Sequence, residues 1–264
     1  MIKFDSKKIE SNLSIAGLSV QFHTFDQIDS TNAEAKRIGQ QIDTFKQPQV
    51  FIANHQTGGY GRLSRDFYSP KDTGLYISFL IPTTGAEFNP GLLTTMTAVA
   101  SAEIIEKFFS VKLYIKWVND LILNNRKVGG ILAEAITNPQ TNQITGVVIG
   151  IGVNLNTQKF PDDIKQIAVS LSDQVDSQNQ TDFVSEFIIN FFKHLNTYQT
   201  ADFMKQYREK SSVIGKQVRV QLQNHTVTGM VSDIDNEGAL ILKTNQQELK
   251  ITSGEIVHVR PING

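Results

Sequence analysis

Apolar positions along the chain fall into runs of two different periods. Residues 50–53 and 74–81 are short runs rich in β-branched and aromatic side chains, the second stopped by Pro82, and they predict strands. After Asn89-Pro90 the spacing lengthens. Leu92, Met96, Ala100, Ile104 and Phe108 recur every fourth residue, as on one face of a helix that Pro90 opens. Upstream, Thr31 and Glu34 have capping-box spacing in front of a stripe of Ala35, Ile38 and Ile42, which predicts a further helix. From Leu113 the pattern becomes a meander of strands at 113–117, 121–123, 128–136 and 144–155, with turns at Asn124-Asn125-Arg126 and Asn138-Pro139. Residues 147–153 are apolar without alternation, which suits a central strand covered on both faces, and Gly150 and Gly152 would let something approach it closely. The polar tract 170–182 reads as a loop. Thr181 or Asp182 then caps a helix burying Val184, Phe187, Ile188, Phe191 and Leu195, and a short helix follows around 203–207.

Beyond Gly215 the segments become short and evenly spaced, at 217–222, 226–233, 239–243, 248–251 and 256–259, the pattern of a small barrel. The boundary near 211–215 divides the chain into 1–211 and 212–264. The fold class expected is α+β, a mixed and mainly antiparallel sheet with packed helices, followed by the barrel. A length of 264 residues accommodates such a pair, and 40% apolar content excludes a disordered chain. With 25 Lys+Arg against 26 Asp+Glu, the net charge of -1 gives no global basic field for nucleic acid. The absence of cysteine excludes disulfides, thiolate metal sites and a cysteine nucleophile. No signal-peptide or membrane-length apolar run is present, so a cytoplasmic protein without membrane or nucleic-acid partners is expected.

The sequence contains no G-x-x-x-x-G-K-[ST], G-x-S-x-G or H-E-x-x-H, and its five histidines are scattered. The best anion-binding candidate is Gly58-Gly59-Tyr60-Gly61-Arg62-Leu63-Ser64-Arg65, where glycines free backbone N–H groups and two arginines add planar donors. Alone, it is weak evidence, since a solvated connection between strands has the same composition. In Lys116-Trp117-Val118-Asn119-Asp120, extended backbone sends Lys116 and Trp117 to opposite faces, one to the site and one to the core. An antiparallel hairpin would return Lys127 to the neighbourhood of Lys116 and Asp120. A surface hairpin with charged flanks is the other reading.

Taken together, Ser30-Thr31-Asn32, Gln56 with the glycine–arginine loop, Lys116–Asp120, Lys127-Val128-Gly129-Gly130-Ile131-Leu132 and Gly150-Ile151-Gly152-Val153-Asn154 resemble the biotin protein ligases in order and spacing. The resemblance runs from about residue 25 to the end, and the last segment is similar to that family's SH3-like domain. It implies a class II synthetase-like catalytic domain that makes biotinyl-5′-AMP from biotin and MgATP, then transfers biotin to a lysine of a biotin carboxyl carrier protein domain. It further implies biotin contacts at Ser30, Thr31, Asn32, Gln56, Tyr60, Gly61, Arg62 and Lys127. Adenylate contacts fall at Gly59, Arg65, Trp117, Asn119 and Asn154, and catalytic roles at Arg62, Lys116, Asp120 and Lys127. Phe160 is a loop anchor or an adenine contact. Mg²⁺ would arrive with ATP, and no protein metal site is implied. Two residues depart from the family pattern: Tyr60 stands where arginine is usual, and Val118 where proline is usual. The contact made at Tyr60 must therefore differ. About 25 residues before the matching region are too few for a helix-turn-helix, so the form without a DNA-binding domain is expected. A lipoate or octanoate ligase or transferase of the same fold, and an inactive biotin-sensing module, are the alternatives. Family members pair through a sheet edge, and the sequence leaves a homodimer open.

Overall fold

The structure is a computed structural model describing residues 5–41, 47–83, 89–138, 140–172 and 177–260, less the side chains of 177–179 and 260. In chain order the elements are α1 (Ser6–Ile15), β1 (Gln21–Phe25), α2 (Thr31–Gly39), β2 (Gln49–Ala53), β3 (Gly74–Pro82), α3 (Pro90–Phe109), β4 (Tyr114–Lys116), β5 (Asp120–Leu123), β6 (Arg126–Thr137), β7 (Ile144–Asn154), α4 (Ser177–Leu195) and α5 (Met204–Glu209). The strands β8 (Gln217–Gln221), β9 (Thr226–Ile234), β10 (Leu240–Lys243), β11 (Glu248–Ile251) and β12 (Glu255–Arg260) follow.

The first seven strands form one sheet in the order β1-β2-β3-β7-β6-β5-β4. Only the β1–β2 pair is parallel; the others are antiparallel. The mixed, mainly antiparallel expectation therefore holds. Strand alternation sends Val50, Ile52, Ile77, Phe79, Ile149 and Ile151 into a large core with Ile9 of α1, Met96 and Val99 of α3, and Phe187 and Phe191 of α4. The opposite parity, Phe51, Leu80, Ile136 and Val148, packs against Ala35 and Ile38 of α2. Strand β7 is thus covered on both faces.

Register on the α2 face positions the site. Lys116 pairs with Asp120, Asp120 with Gly130, Gly130 with Gly152, and Gly152 with Tyr76. Directly opposed residues share a face, so this row crosses the sheet with glycines at its centre and a charged pair at one end. The next row runs Leu132, Gly150, Ser78 and Phe51.

Several expectations need correction. Helix α1 and strand β1 were not anticipated. α1 is capped by Asp5, whose carboxylate accepts from Lys8 N at 3.0 Å, and it buries only Ile9 and Leu13. The Thr31–Glu34 capping box does not form: the cap of α2 is Ser30, and Glu34 pairs with Arg37 instead. Helix α4 begins at Ser177, a turn before the expected caps, so Thr181 lies inside it. Ile42, Pro139 and positions 173–176 of the polar tract lie outside the described residues.

The last five strands form an antiparallel sheet in the order β11-β10-β9-β8-β12. It is fastened to the preceding elements by Trp117 Nε1, which donates to Gly238 O at 2.9 Å, and by Arg208 Nη1, which donates to Ile234 O at 3.0 Å. Among the described residues no helix is long and apolar enough to cross a membrane.

Candidate active site

A cavity of about 540 Å³ opens on the α2 face of the seven-stranded sheet. Every residue to which the resemblance gives a binding or catalytic role lines it except Gly59. A Cβ on Gly59 would fall 2.6 Å from Ser69 Oγ and 2.8 Å from Gln56 Nε2. Its smallness lets those two groups close behind the wall.

One end of the cavity is lined by hydroxyl and amide groups. Ser30 caps α2 by accepting from Ala33 N at 3.4 Å, which holds the start of the helix at the wall. Thr31 donates to Gln56 Oε1 through its backbone N–H at 2.9 Å, its hydroxyl lies 3.1 Å from the same oxygen and 2.7 Å from Ser78 Oγ, and Gln56 Nε2 donates to Ser69 Oγ at 3.0 Å. Asn32 is buried, its Oδ1 2.6 Å from Ser78 Oγ and its Nδ2 donating to Glu134 at 3.0 Å. Gly150 makes this possible, because a Cβ there would lie 2.0 Å from Asn32 Oδ1. The ring of Phe67 occupies the equivalent place over Gly152. Asn32 and Phe67 are thus what the two glycines of β7 admit.

The other end is charged. Arg62, Arg65, Lys116 and Lys127 share the wall with Asp66, Asp120 and Glu255, leaving one positive charge in excess. Lys127 Nζ lies 2.6 Å from Asp120 Oδ1, as the hairpin reading anticipated. Lys116, the last residue of β4, lines the cavity, while Trp117, the first residue of the turn that follows, is buried in the large core and also borders the cavity; the two part as expected, but at a turn and not along an extended strand. Asn119 Nδ2 donates to Ile131 O at 2.9 Å, and its Oδ1 accepts from Arg62 Nη1 at 3.4 Å. Asn154 Nδ2 donates to Val169 O at 3.3 Å, which draws the segment after β7 over the site.

The glycine–arginine loop is more closed than a free row of N–H donors. Gly58 N donates to Asp29 O and Gly61 N to Arg65 O, each at 2.8 Å, while Leu63 and Ser64 at the tip are left-handed at φ 56° and 55°. The amides of these two glycines are committed, and the two arginines are the loop's charged donors. Both reach the C-terminal sheet: Arg62 Nη2 donates to Gly254 O at 2.9 Å, and Arg65 pairs with Glu255.

Sequence reading missed three parts of this site. Residues 167–169 lie beside Lys127, whose N–H donates to Ile167 O at 2.7 Å, and Ile164, Ile167 and Ala168 close one wall. Glu255, Ile256 and Val257 supply lining from the C-terminal sheet. Glu134 collects Lys36, Asn32 and Tyr60 behind the neutral end. Burial works against the Glu134 charge, but the hydrogen bonds from Lys36, Asn32 and Tyr60 outweigh it and hold the carboxyl below its ordinary value. Burial and the same carboxylate push the Tyr60 hydroxyl above the usual tyrosine range, so it stays a donor. A run of hydrophobicity signals none of these, although the parity of β6 places Glu134 on the same face as Leu132.

A model of the biotin/lipoate A/B protein ligase family matches residues 24–154, and one of the biotin protein ligase C terminal domain matches residues 213–259. The bifunctional ligase/repressor BirA of Bacillus subtilis is 31% identical over 269 residues, spanning 97% of this chain and 81% of that protein. A biotin–acetyl-CoA-carboxylase ligase of Mycobacterium tuberculosis is 28% identical over 268 residues, spanning 97% of this chain and 96% of that protein. Among solved structures, the biotin protein ligase from Aquifex aeolicus in complex with biotin and ATP has the same fold, with a TM-score of 0.76 at 24% identity over 91% of this chain and 98% of that one.

Proposed function

Because this chain belongs to the biotin protein ligase family, we propose that it activates biotin with MgATP to biotinyl-5′-AMP and passes the biotin to a lysine of a carrier domain. The observation that carries the reading is the two-ended cavity, with neutral hydroxyl and amide groups at one end and an excess of positive charge at the other. A neutral bicyclic urea is recognised by groups that share hydrogen bonds without charge, whereas a carboxylate and a triphosphate need cations. The biotin protein ligase from Aquifex aeolicus was solved in complex with biotin and ATP, which supports the same pair of ligands.

In this mechanism a carboxylate oxygen of biotin attacks the α-phosphorus of ATP, a P–O bond forms, and pyrophosphate leaves with the electrons of the broken bond. Both reactants are anions, so the first task of the protein is neutralisation. Arg62, Arg65, Lys116 and Lys127 would supply it at the α-phosphate and the carboxylate, with Mg²⁺ arriving as part of the nucleotide substrate. Among the described residues no cluster of three carboxylates or imidazoles is poised to hold a metal ion alone. In the second step the lysine amine attacks the acyl carbon, AMP departs, and the amine proton is lost. Asp120, 2.6 Å from Lys127, would orient Lys127 or receive the proton of the acceptor lysine. Ser30, Thr31, Asn32 and Gln56 take the ureido end, and Asn119, Trp117 and Asn154 flank the adenylate. The proposal includes a division into 1–211 and 212–264, with the site drawing on both parts, and a cytoplasmic setting.

The test is direct. Protein mixed with biotin and MgATP should release pyrophosphate and retain biotinyl-adenylate, then label a carrier domain on one lysine. Pyrophosphate release with lipoate but not biotin would replace biotin as the substrate, and none with either would remove the ligase reading.

A further inference from the structure

Glu134 is not part of the cavity wall, yet it fixes two residues that are. Its Oε1 lies 2.8 Å from Lys36 Nζ, while its Oε2 accepts from Asn32 Nδ2 at 3.0 Å and from Tyr60 Oη at 2.9 Å. An ionised carboxylate has no proton to give, so it can face only the nitrogen of the Asn32 amide. That choice turns Oδ1 the other way, to within 2.6 Å of Ser78 Oγ and over the bare backbone of Gly150. A carbonyl oxygen has two lone pairs, and the Ser78 hydroxyl satisfies one of them. We infer that Glu134 is a positioning residue that locks Asn32 as a hydrogen-bond acceptor for a ligand N–H and ties that amide to the glycine–arginine loop through Tyr60. The inference rests on the biotin reading, since a ureido ring supplies the N–H. It also gives Tyr60 a role of its own: the hydroxyl anchors the loop to the same carboxylate that orients the amide.

The physical consequence is selective. The amide oxygen that Glu134→Gln leaves in place can still accept from Tyr60 Oη and hold the loop, so the loss falls on the orientation of Asn32 at the neutral end and spares the cationic end. Glu134→Gln keeps the shape but gives the side chain its own N–H donors, so the Asn32 amide is free to turn over. In steady-state pyrophosphate release by the full-length protein, the biotin KM of Glu134→Gln should rise about tenfold, equivalent to about 1.4 kcal/mol. The ATP KM and kcat should stay within about twofold, the signature of lost substrate binding without lost chemistry. In an Asn32→Ala background the same substitution should add no further rise in biotin KM, because the two residues act as one unit. Lys36→Met, which loosens the carboxylate from its half-exposed side, should move the biotin KM in the same direction and keeps the test available if Glu134→Gln does not fold. A biotin KM unchanged in these variants, an ATP KM that rises equally, or additive effects with Asn32→Ala would overturn the inference while wild-type turnover of biotin leaves the ligase reading standing. A wild-type protein that releases no pyrophosphate with biotin would overturn both.

Discussion

Replacing Lys127 by alanine tests the charge argument at its centre. The wall of the cavity carries four cations and three carboxylates, so removing this one abolishes the positive excess. It also leaves Asp120, which Lys127 now faces at 2.6 Å, as an uncompensated anion beside the path of two anionic substrates. Deleting one group that stabilises developing charge costs about 10²–10³ in rate, or about 3–4 kcal/mol, and Lys127→Ala should fall in that range for adenylate formation. Stability should hardly change. The Lys127 side chain is 39% exposed and that of Asp120 22%, and ion pairs open to solvent contribute about 0–1 kcal/mol. Single-turnover pyrophosphate release measures the first quantity and urea unfolding the second.

Asp120→Asn makes the test sharper, because it separates the roles open to that carboxylate. If Asp120 serves only to orient Lys127, adenylate formation slows while transfer from preformed adenylate does not. If it receives the proton of the acceptor lysine, transfer slows and adenylate forms normally. The Lys127→Ala/Asp120→Asn pair restores an excess of one positive charge without restoring the ammonium. Recovery by more than about tenfold over Lys127→Ala would mean that net charge suffices and the position of Lys127 does not matter. Adenylate formation by Lys127→Ala within about threefold of the wild type would refute the electrostatic reasoning altogether.

Gly150→Ala puts a Cβ 2.0 Å from Asn32 Oδ1, so it should cost about 1–3 kcal/mol in urea unfolding and weaken biotin binding but not ATP binding; equal losses for both ligands in calorimetry would count against the two-ended cavity. Burial disfavours the charge of Glu103, yet hydrogen bonds from His194 at 2.7 Å and Asn190 at 3.0 Å lower its pKa from the usual 4.5 to about 2. A depressed folded pKa stabilises above the unfolded value, so Glu103→Gln should lose at most about 3 kcal/mol at pH 7, with the gap to wild type closing between about pH 4.5 and 2. Thermal melts showing a gap independent of pH would contradict this linkage. Trp117→Phe leaves the buried Gly238 carbonyl without its 2.9 Å donor and should destabilise by about 1–3 kcal/mol; a variant with the wild-type urea midpoint would mean that water replaces the indole there.

The parts of the fold legible in the sequence are those whose signal is local. Proline stops, alternating apolar residues and the fourfold spacing of Leu92 to Phe108 each fix an element within its own stretch, and the five short C-terminal strands are punctuated by turns. α1 escaped because its ten residues bury only Ile9 and Leu13, too few for a period to emerge. β1 escaped because its strand character comes from parallel pairing with β2, 28 positions away at Gln21 and Gln49, and not from a buried face of its own. The first turn of α4 is a run of polar residues that composition alone assigns to a loop.

The site divides in the same way. Lys116, Asp120 and Lys127 could be brought together on paper because two consecutive hairpins, β4–β5 and β5–β6, hold all three, and hairpin geometry is set by a few adjacent residues. Glu134 could not, since its partners lie on α2 and in the glycine–arginine loop, as far as 102 positions away. Glu255 is further still, 190 positions from the arginine it pairs with. These distant contacts change the meaning of the residues that were legible. Arg62 and Arg65 are not free donors at the end of a mobile loop: a carbonyl and a carboxylate of the C-terminal sheet already hold them at the cavity. On the proposed reading an incoming polyphosphate would meet guanidinium groups that are positioned in advance, and the acceptors it would displace belong to the element that the sequence presented as an appendage.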